Sequence, residues 1–461
     1  MPQGYIVVAF VMQRWGRINC SNADVIIDVI RNILEHKLNA WYFLCFLSAV
    51  SIFLAFANEY LLRLQTTIAI TSGSVVMSLL LMSLISFSGN EAAEFIRQSF
   101  EGLNFNQLLL KGMLGFLLFA GALEIDLHLL RKQRWEITIM ALVSTLISTV
   151  LIGYFSYWVL GMLGWPLPLL YCMLFGALIS PTDPIAVLAI IKKMRAPENI
   201  SVQVEGESLF NDGVGLVVFT TIFALAFLGK EPTLYGVAEV FLVDAVGGIV
   251  FGAVLAFVAH WLICRTVDSS IELLITLCIP TAGYALANVL EISGPLAMVV
   301  SGIVIGNVTR TVGFSEHSQQ TLSHFWHTVD AFLNALLFLL IGLMLVIMPV
   351  TWVQVGLGML MIPLVLFARF ISVALPYIGF RRFRKYDAHS VKILTWGGLR
   401  GGLALAMAAS IPTGQLMING VDGHTLLLMM TYVVVIFSIV VQGSTIGPMI
   451  EKSIQAGKEN R

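Results

Sequence analysis

The chain has 461 residues, 58% of them hydrophobic and 11% charged, with a mean hydropathy of +0.89. A soluble domain carries roughly 25% charged residues, so this composition excludes one and predicts an all-α polytopic membrane protein. The formal net charge of −1 offers no basic surface for nucleic acid, and what matters is where the charges sit.

Residues 1–38 form an extension of unassigned role, in which Asp24 to Leu34 has the pattern of an interfacial amphipathic helix. A bilayer core of about 30 Å needs roughly 20 apolar residues per crossing. On that ruler about thirteen spans are predicted: 39–57, 66–87, 107–124, 136–160, 168–191, 204–228, 235–263, 271–290, 294–307, 329–348, 353–378, 391–411 and 425–449. The loops after odd-numbered spans hold Arg131, Lys132 and Arg134; Lys192, Lys193 and Arg195; Arg265; Arg310; and Arg381, Arg382, Arg384 and Lys385. Those after even-numbered spans hold only Arg97 and Lys230. Cytoplasmic loops are the basic ones, so the C-terminus, with a short tail at 451–461, is expected in the cytoplasm. Cys20, Cys45, Cys172, Cys264 and Cys278 have no CxxC spacing and read as small apolar residues rather than metal ligands.

Span five carries SPTDP, with Pro181 and Pro184 at its middle. Each proline removes a donor and clashes with the preceding turn. Thr182-Asp183-Pro184 is also a helix-start pattern, Asp as cap and Pro at the first helical position. Two half-helices meeting near mid-bilayer are expected, with Asp183 at the positive end of the second. Span six carries EGESLFNDGVGLVV, which puts Glu207, Ser208, Asn211 and Asp212 on one side of a helix, since residues four apart are neighbours. An acid in hydrocarbon is a functional candidate by default. In span twelve Gly397, Gly398, Gly401 and Gly402 surround Arg400, a run that can unwind a helix and leaves an arginine in need of a partner.

Spans five and twelve run in opposite directions in the two halves of the chain, the pattern of an inverted-repeat secondary transporter with two broken helices. Asp183, Asp212 and Arg400 each fall near the centre of their span and are expected to meet at one depth. Glu207 is expected to pair with Arg400, leaving Asp183 and Asp212 to a cation. Arg369 reads as structural, paired with Asp330 or reaching the cytoplasmic face, and Asp244 as an interfacial residue toward the outer side. His317, His324 and His327 read as solvated, Lys111 as reaching for the interface, and Gly302 to Gly306 as a close helix contact.

At these stretches the sequence resembles the monovalent cation:proton antiporter-1 family, the sodium/proton exchangers of bacterial type. SPTDP at 180–184, ESLFND at 207–212 and GGLRG at 397–401 match its motifs in order, and FWHTVDAFLNALLFLLIGL at 325–343 is similar to its tenth span. The resemblance implies a thirteen-helix dimeric antiporter with a sodium/proton antiporter fold, inverted repeats with two crossed, broken helices at spans five and twelve. Its core would be the helices about 136–228 and 353–449, and its dimerisation scaffold those about 39–124 and 235–348. It implies a cation site at Thr182, Asp183, Ser208 and Asp212, held in shape by Asn211, with Glu207 paired to Arg400. One departure is Ala120, which follows Leu117-Leu118-Phe119 where many relatives have an acid.

A hard cation such as Na+ takes oxygen ligands, and these residues supply them without a cofactor. The expected mechanism is competition: Asp212 holds a proton or the transported Na+, and the carrier reorients only once its charge is neutralised. Residue 211 is Asn rather than a second acid, so one proton per cation and electroneutral exchange are expected, unless Asp183 also titrates. The expected setting is a bacterial inner membrane, with lipid and a second copy of the chain as partners. A K+/H+ exchanger of the same fold is the alternative, and a passive channel or a non-transporting sensor the more distant ones.

Overall fold

A backbone in hydrocarbon has no water to satisfy its N–H and C=O groups, so each apolar stretch bonds within itself as a helix. The structure is a computed structural model that describes residues 40–61, 63–88, 107–193, 198–229, 234–380 and 390–459. The extension over 1–38, with its expected amphipathic stretch, lies outside these residues, as do Arg97, Arg195, Lys230 and the basic loop from Arg381 to Lys385. The main helices are α1 (Ala40–Leu61), α2 (Thr66–Ser88), α3 (Leu114–Glu124), α4 (Thr145–Met162), α5 (Leu169–Ile179), α6 (Ile185–Lys193), α7 (Glu198–Phe227) and α8 (Leu234–Ile263). They continue with α9 (Ser269–Cys278), α10 (Gly294–Val304), α11 (Glu316–Ile347), α12 (Trp352–Phe380), α13 (Ser390–Trp396), α14 (Gly402–Ala409), α15 (Gly423–Phe437) and α16 (Gly443–Glu459). Ten helical stretches among the described residues are long and apolar enough to cross a membrane, and α5 is a shorter apolar one.

Two pairs, α5/α6 and α13/α14, are consecutive helices separated by non-helical backbone at 180–184 and 397–401, the positions of the prolines and of the glycine run. The interruptions come from the local sequence. Where they sit in the molecule comes from how the other helices pack.

Small residues set that packing, because lipid tails are as apolar as leucine and helices gain from close approach instead. Gly176 of α5 faces the Thr149 carbonyl of α4, and a Cβ there would collide with it. Gly302 and Gly306 press on Phe119, Ala122 and Leu123 of α3, the close contact expected from their spacing. Ser78 of α2 donates to the Gly342 carbonyl of α11 at 2.8 Å. The helices differ in how much of themselves they bury. The window over Glu316–Ile347 is 61% buried, whereas those over Leu44–Leu61 and Phe241–Ile263 are 17% buried. α11 is therefore central, while α1 and α8 turn apolar faces outward, with Phe53, Leu242, Val250 and Phe257 exposed.

Between α14 and α15 a two-residue hairpin pairs β1 (Met417–Ile418) with β2 (Val421–Asp422). Its turn residues Asn419 and Gly420 both have positive φ, 50° and 79°, the left-handed pair that Asn-Gly turns supply.

Candidate functional site

The non-helical stretches 180–184 and 397–401 cross and bond to each other. The Asp183 amide donates to the Leu399 carbonyl at 2.8 Å. Unwound backbone at membrane depth must find partners in protein, and a third element supplies them. Ser438 to Gln442 is a π-helical segment following α15, a local widening of the helix that is often found at functional positions. Its Ser438 hydroxyl accepts from the Arg400 amide at 2.9 Å, and its Gln442 amide donates to the Trp396 carbonyl at 2.9 Å.

The crossing also gathers helix ends, each with a partial charge. Asp183 Oδ1 accepts from the Ile185 amide at 3.0 Å, capping α6 as Thr182-Asp183-Pro184 leads one to expect. The same carboxylate abuts Gly401, the residue before α14, where a Cβ would collide with Asp183 Oδ2. Asp183 thus lies beside the positive ends of two half-helices. At the opposite pole, Arg400 Nη1 donates to the Ser180 and Pro181 carbonyls at 2.6 and 3.0 Å, at the negative end of α5. Arg400 is 2% exposed.

α7 brings its polar row to this crossing. Asn211 donates to Thr182 Oγ1 at 2.8 Å and accepts from the Thr182 amide at 3.2 Å. The Ser208 and Thr182 hydroxyls are 3.2 Å apart. These three side chains are buried, and they lock α7 to the break. Asp212, one residue further, is only partly buried, as is Asp183, and the two are close enough for their charges to interact.

Glu207 corrects the sequence reading. Its partner is Arg369 of α12, with Nη2 2.5 Å from Oε1, and not Arg400. Arg369 likewise does not pair with Asp330 or reach an aqueous face, being 2% exposed. The reason is geometric: Arg400 turns toward the carbonyls that end α5, while Glu207 sits on the side of α7 toward which α12 extends long side chains, Arg369 to Glu207 and Tyr377 to the Gln203 amide, which donates to its hydroxyl at 2.8 Å. An arginine within an apolar run of 29 residues was signal enough to mark Arg369 as part of the site.

Asp183 and Asp212 line one cavity of about 370 Å³ together with Glu124, Glu205, His327, Asp330 and Asn334. His327 is exposed, as is Glu124, so the cavity opens toward the end of the bundle where α3 ends and α11 begins. Asp330 and Asn334 were present in the tenth-span motif but drew no functional reading, because their alignment with Asp183 depends on the fold. Asp244 accepts from the Thr220 hydroxyl at 3.3 Å and stands apart from this cavity.

Discontinuous helices whose ends meet around charged groups recur in several secondary-transporter folds. The family model for the transmembrane domain of sodium/hydrogen exchangers matches residues 49–452. The chain belongs to the sodium/hydrogen exchanger family. Among relatives in this family, the Na(+)/H(+) antiporter NhaP of Pseudomonas aeruginosa is 39% identical over 89% of this chain and 96% of its own length. The Na(+)/H(+) antiporter NhaH of Halobacillus aidingensis is 33% identical over 85% and 93%. The exchanger fold is also that of the sodium proton antiporter MjNhaP1 from Methanocaldococcus jannaschii, with a TM-score of 0.70 over 90% of this chain and 98% of that one, at 19% identity.

Proposed function

We propose that this chain exchanges Na+ for H+ across the membrane by alternating access, with Asp212 as the group that carries either ion. The observation that carries the reading is that Asp212 and Asp183 share one cavity at the crossing of two broken helices. Na+ is the substrate, and Asp212, Asp183, Ser208 and Thr182 are the residues that would hold it.

The charges gathered at the crossing support a stoichiometry. Arg369 and Arg400 are positive, and Glu207, Asp183 and Asp212 are negative when ionised, which leaves one negative charge uncompensated. Either one proton or one Na+ neutralises it, and an uncompensated charge is costly to move through a low-dielectric barrier. A carrier that reorients only when neutral exchanges one for one and is electrically silent. Asn211 serves this scheme by clamping Thr182 rather than by titrating.

The halves containing 136–228 and 353–449 form the moving core in this proposal, as inverted repeats. The helices at 39–124 and 235–348 form the scaffold, whose outward apolar faces on α1 and α8 suit lipid or a second copy of the chain. The loop charges support a reading in which the open end of the cavity, and the tail at 451–461, face the cytoplasm of a bacterial cell.

The test is fluorescent monitoring of ΔpH collapse in inverted vesicles on addition of Li+, Na+, K+ or Rb+. Na+ is expected to dissipate ΔpH without a change in membrane potential. A response to K+ alone would make the chain a K+/H+ exchanger, and a voltage-driven conductance would make it a channel. Asp212→Asn protein that still exchanged Na+ for H+ would end the proposal.

A further inference from the structure

α2 is bound firmly to the scaffold side of the proposed carrier. Its Ser78 hydroxyl donates to the Gly342 carbonyl of α11 at 2.8 Å, and a Cβ on Gly342 would collide with Ser74. The turn that leads into α2 is equally fixed. Asn58 accepts from the Leu64 amide at 3.1 Å and donates to the Leu64 carbonyl at 2.9 Å. The Arg63 amide donates to the Asn58 carbonyl at 2.7 Å, with Arg63 in the left-handed conformation at φ 53°. Gln65 follows, and its carbonyl accepts from the Ala69 amide at 3.0 Å as α2 begins.

From that pinned position the Gln65 side chain reaches the core. Its Nε2 donates to the Ala186 carbonyl of α6 at 2.7 Å. α6 is the half-helix that Asp183 caps, and it lines the cavity with Ile185, Leu188 and Ala189. A scaffold turn is thus tied to the half-helix that carries a cation-site acid at its start. The bond is shorter than Thr220 to Asp244 at 3.3 Å and Tyr432 to the Gly342 carbonyl at 3.5 Å, which also cross from core to scaffold.

Contacts between α2 and the core differ in how they respond to displacement. Ile68 lies against Gly443 of α16, and apolar contact is non-directional, so one surface can slide on the other. A hydrogen bond of 2.7 Å is lost once its atoms separate by about 1 Å more, and the pinned backbone of Gln65 does not follow. The Gln65 Oε1 is buried and has no protein partner. A methionine of similar length would fill the same place without an orphaned atom, so packing alone does not account for an amide here.

We propose that the hydrogen bond from Gln65 to Ala186 is a latch between scaffold and core, holding the carrier in the form whose cavity opens where α3 ends and α11 begins. It parts each time the core moves. The inference rests on the moving-core reading above. One neutral hydrogen bond shifts a two-state equilibrium by about twofold to tenfold, which biases the carrier toward one side without trapping it there.

The test is the distance between two spin labels on the full chain in lipid, measured by double electron–electron resonance over a Na+ and pH series. The labels are attached at Val267→Cys, 96% exposed on a scaffold loop, and at Lys392→Cys, exposed on α13 of the core, with the five native cysteines replaced by alanine. Two distances are expected, and Gln65→Met moves weight from the distance of this structure to the other by about twofold to tenfold. Gln65→Asn, one methylene too short to reach Ala186, gives the same shift and decides the matter should Gln65→Met fail to fold. A ratio of the two distances unchanged by the substitution overturns the latch even where the melting temperature falls, since a purely structural bond favours neither side. A single distance in the unsubstituted chain under every condition overturns the moving-core reading, and the latch with it.

Discussion

Arg369 Nη2 lies 2.5 Å from Glu207 Oε1, and both side chains are 2% exposed. Nη1 and Nε of Arg369 have no protein acceptor, so Glu207 is what compensates this cation. Breaking a buried pair by removing one partner costs about 3–5 kcal/mol, while replacing both by apolar groups of similar volume is often neutral. Glu207→Leu and Arg369→Met are each expected to lower the thermal stability of the purified protein by that order, and the double substitution Glu207→Leu with Arg369→Met to lose less than the sum of the two. Additive losses in thermal unfolding would show that the two side chains do not act as a pair.

Arg400 holds two carbonyls with one planar group. Both bonds leave the single nitrogen Nη1, and lysine keeps the charge but carries it as a compact, strongly hydrated ammonium on a stem that ends short of the Nη1 position. Arg400→Lys is expected to stay folded and to lose about tenfold or more in the rate of ΔpH collapse, since hydrogen bonds to charged groups are worth about 1.5–3 kcal/mol each. A rate equal to that of the unsubstituted protein would mean that positive charge alone suffices at this pole.

Gly401 has no room for a methyl group, because Asp183 Oδ2, Cβ and Cγ occupy it. Gly401→Ala must push Asp183 away from the end of α14 and is expected to cut transport by about tenfold to a hundredfold, the upper figure being what an angstrom-scale misplacement of a reacting group can cost. Gly356 in α12 faces open space, and Gly356→Ala is expected to leave transport intact and raise stability by about 0.5–1 kcal/mol. Equal effects of the two substitutions on ΔpH collapse would refute the role given to the Asp183 position.

Asn211 satisfies both the amide and the hydroxyl of Thr182. Asn211→Ala leaves a buried backbone donor without its acceptor, a cost of about 1–3 kcal/mol. The expected outcome is a higher half-saturating Na+ concentration together with a lower melting temperature. Asn211→Asp, which keeps the acceptor for the Thr182 amide and adds a charge, is expected to make exchange sensitive to membrane potential, read by imposing a K+/valinomycin potential on the vesicles.

Competition of one proton with one Na+ at Asp212 fixes a sign for the pH dependence. Protons occupy the site as pH falls, so the half-saturating Na+ concentration rises, approaching about tenfold per pH unit on the acid side by linkage. Alkaline pH lowers it to a plateau. A half-saturating concentration independent of pH would show that the two ions bind at separate groups.

Much of this molecule is legible along the chain. Pro181 and Pro184 cannot sit in an unbroken helix, and the glycines around Arg400 remove the side chains that would hold one together, so both interruptions follow from backbone chemistry local to each stretch. The cap at Asp183 is equally local, and so is the polar row of α7, since residues four apart on a helix must be neighbours. Membrane residence follows from composition, because no other solvent suits so many apolar residues with so few charges.

Partner choice was not legible, and Glu207 shows why. Two arginines lie in apolar runs at comparable depth, and nothing in the order of residues says which helix will cover that side of α7. The long side chain of Arg369, reaching across from α12, takes Glu207, and the crossing of the two breaks turns Arg400 toward carbonyls that exist as free acceptors only because α5 ends there. The alignment of Asp330 and Asn334 with the same cavity is of this kind too. Hydrogen bonds within a turn depend on neighbours in sequence, whereas pairing of buried charges depends on which distant helices close over them, and that is settled only when the chain has folded.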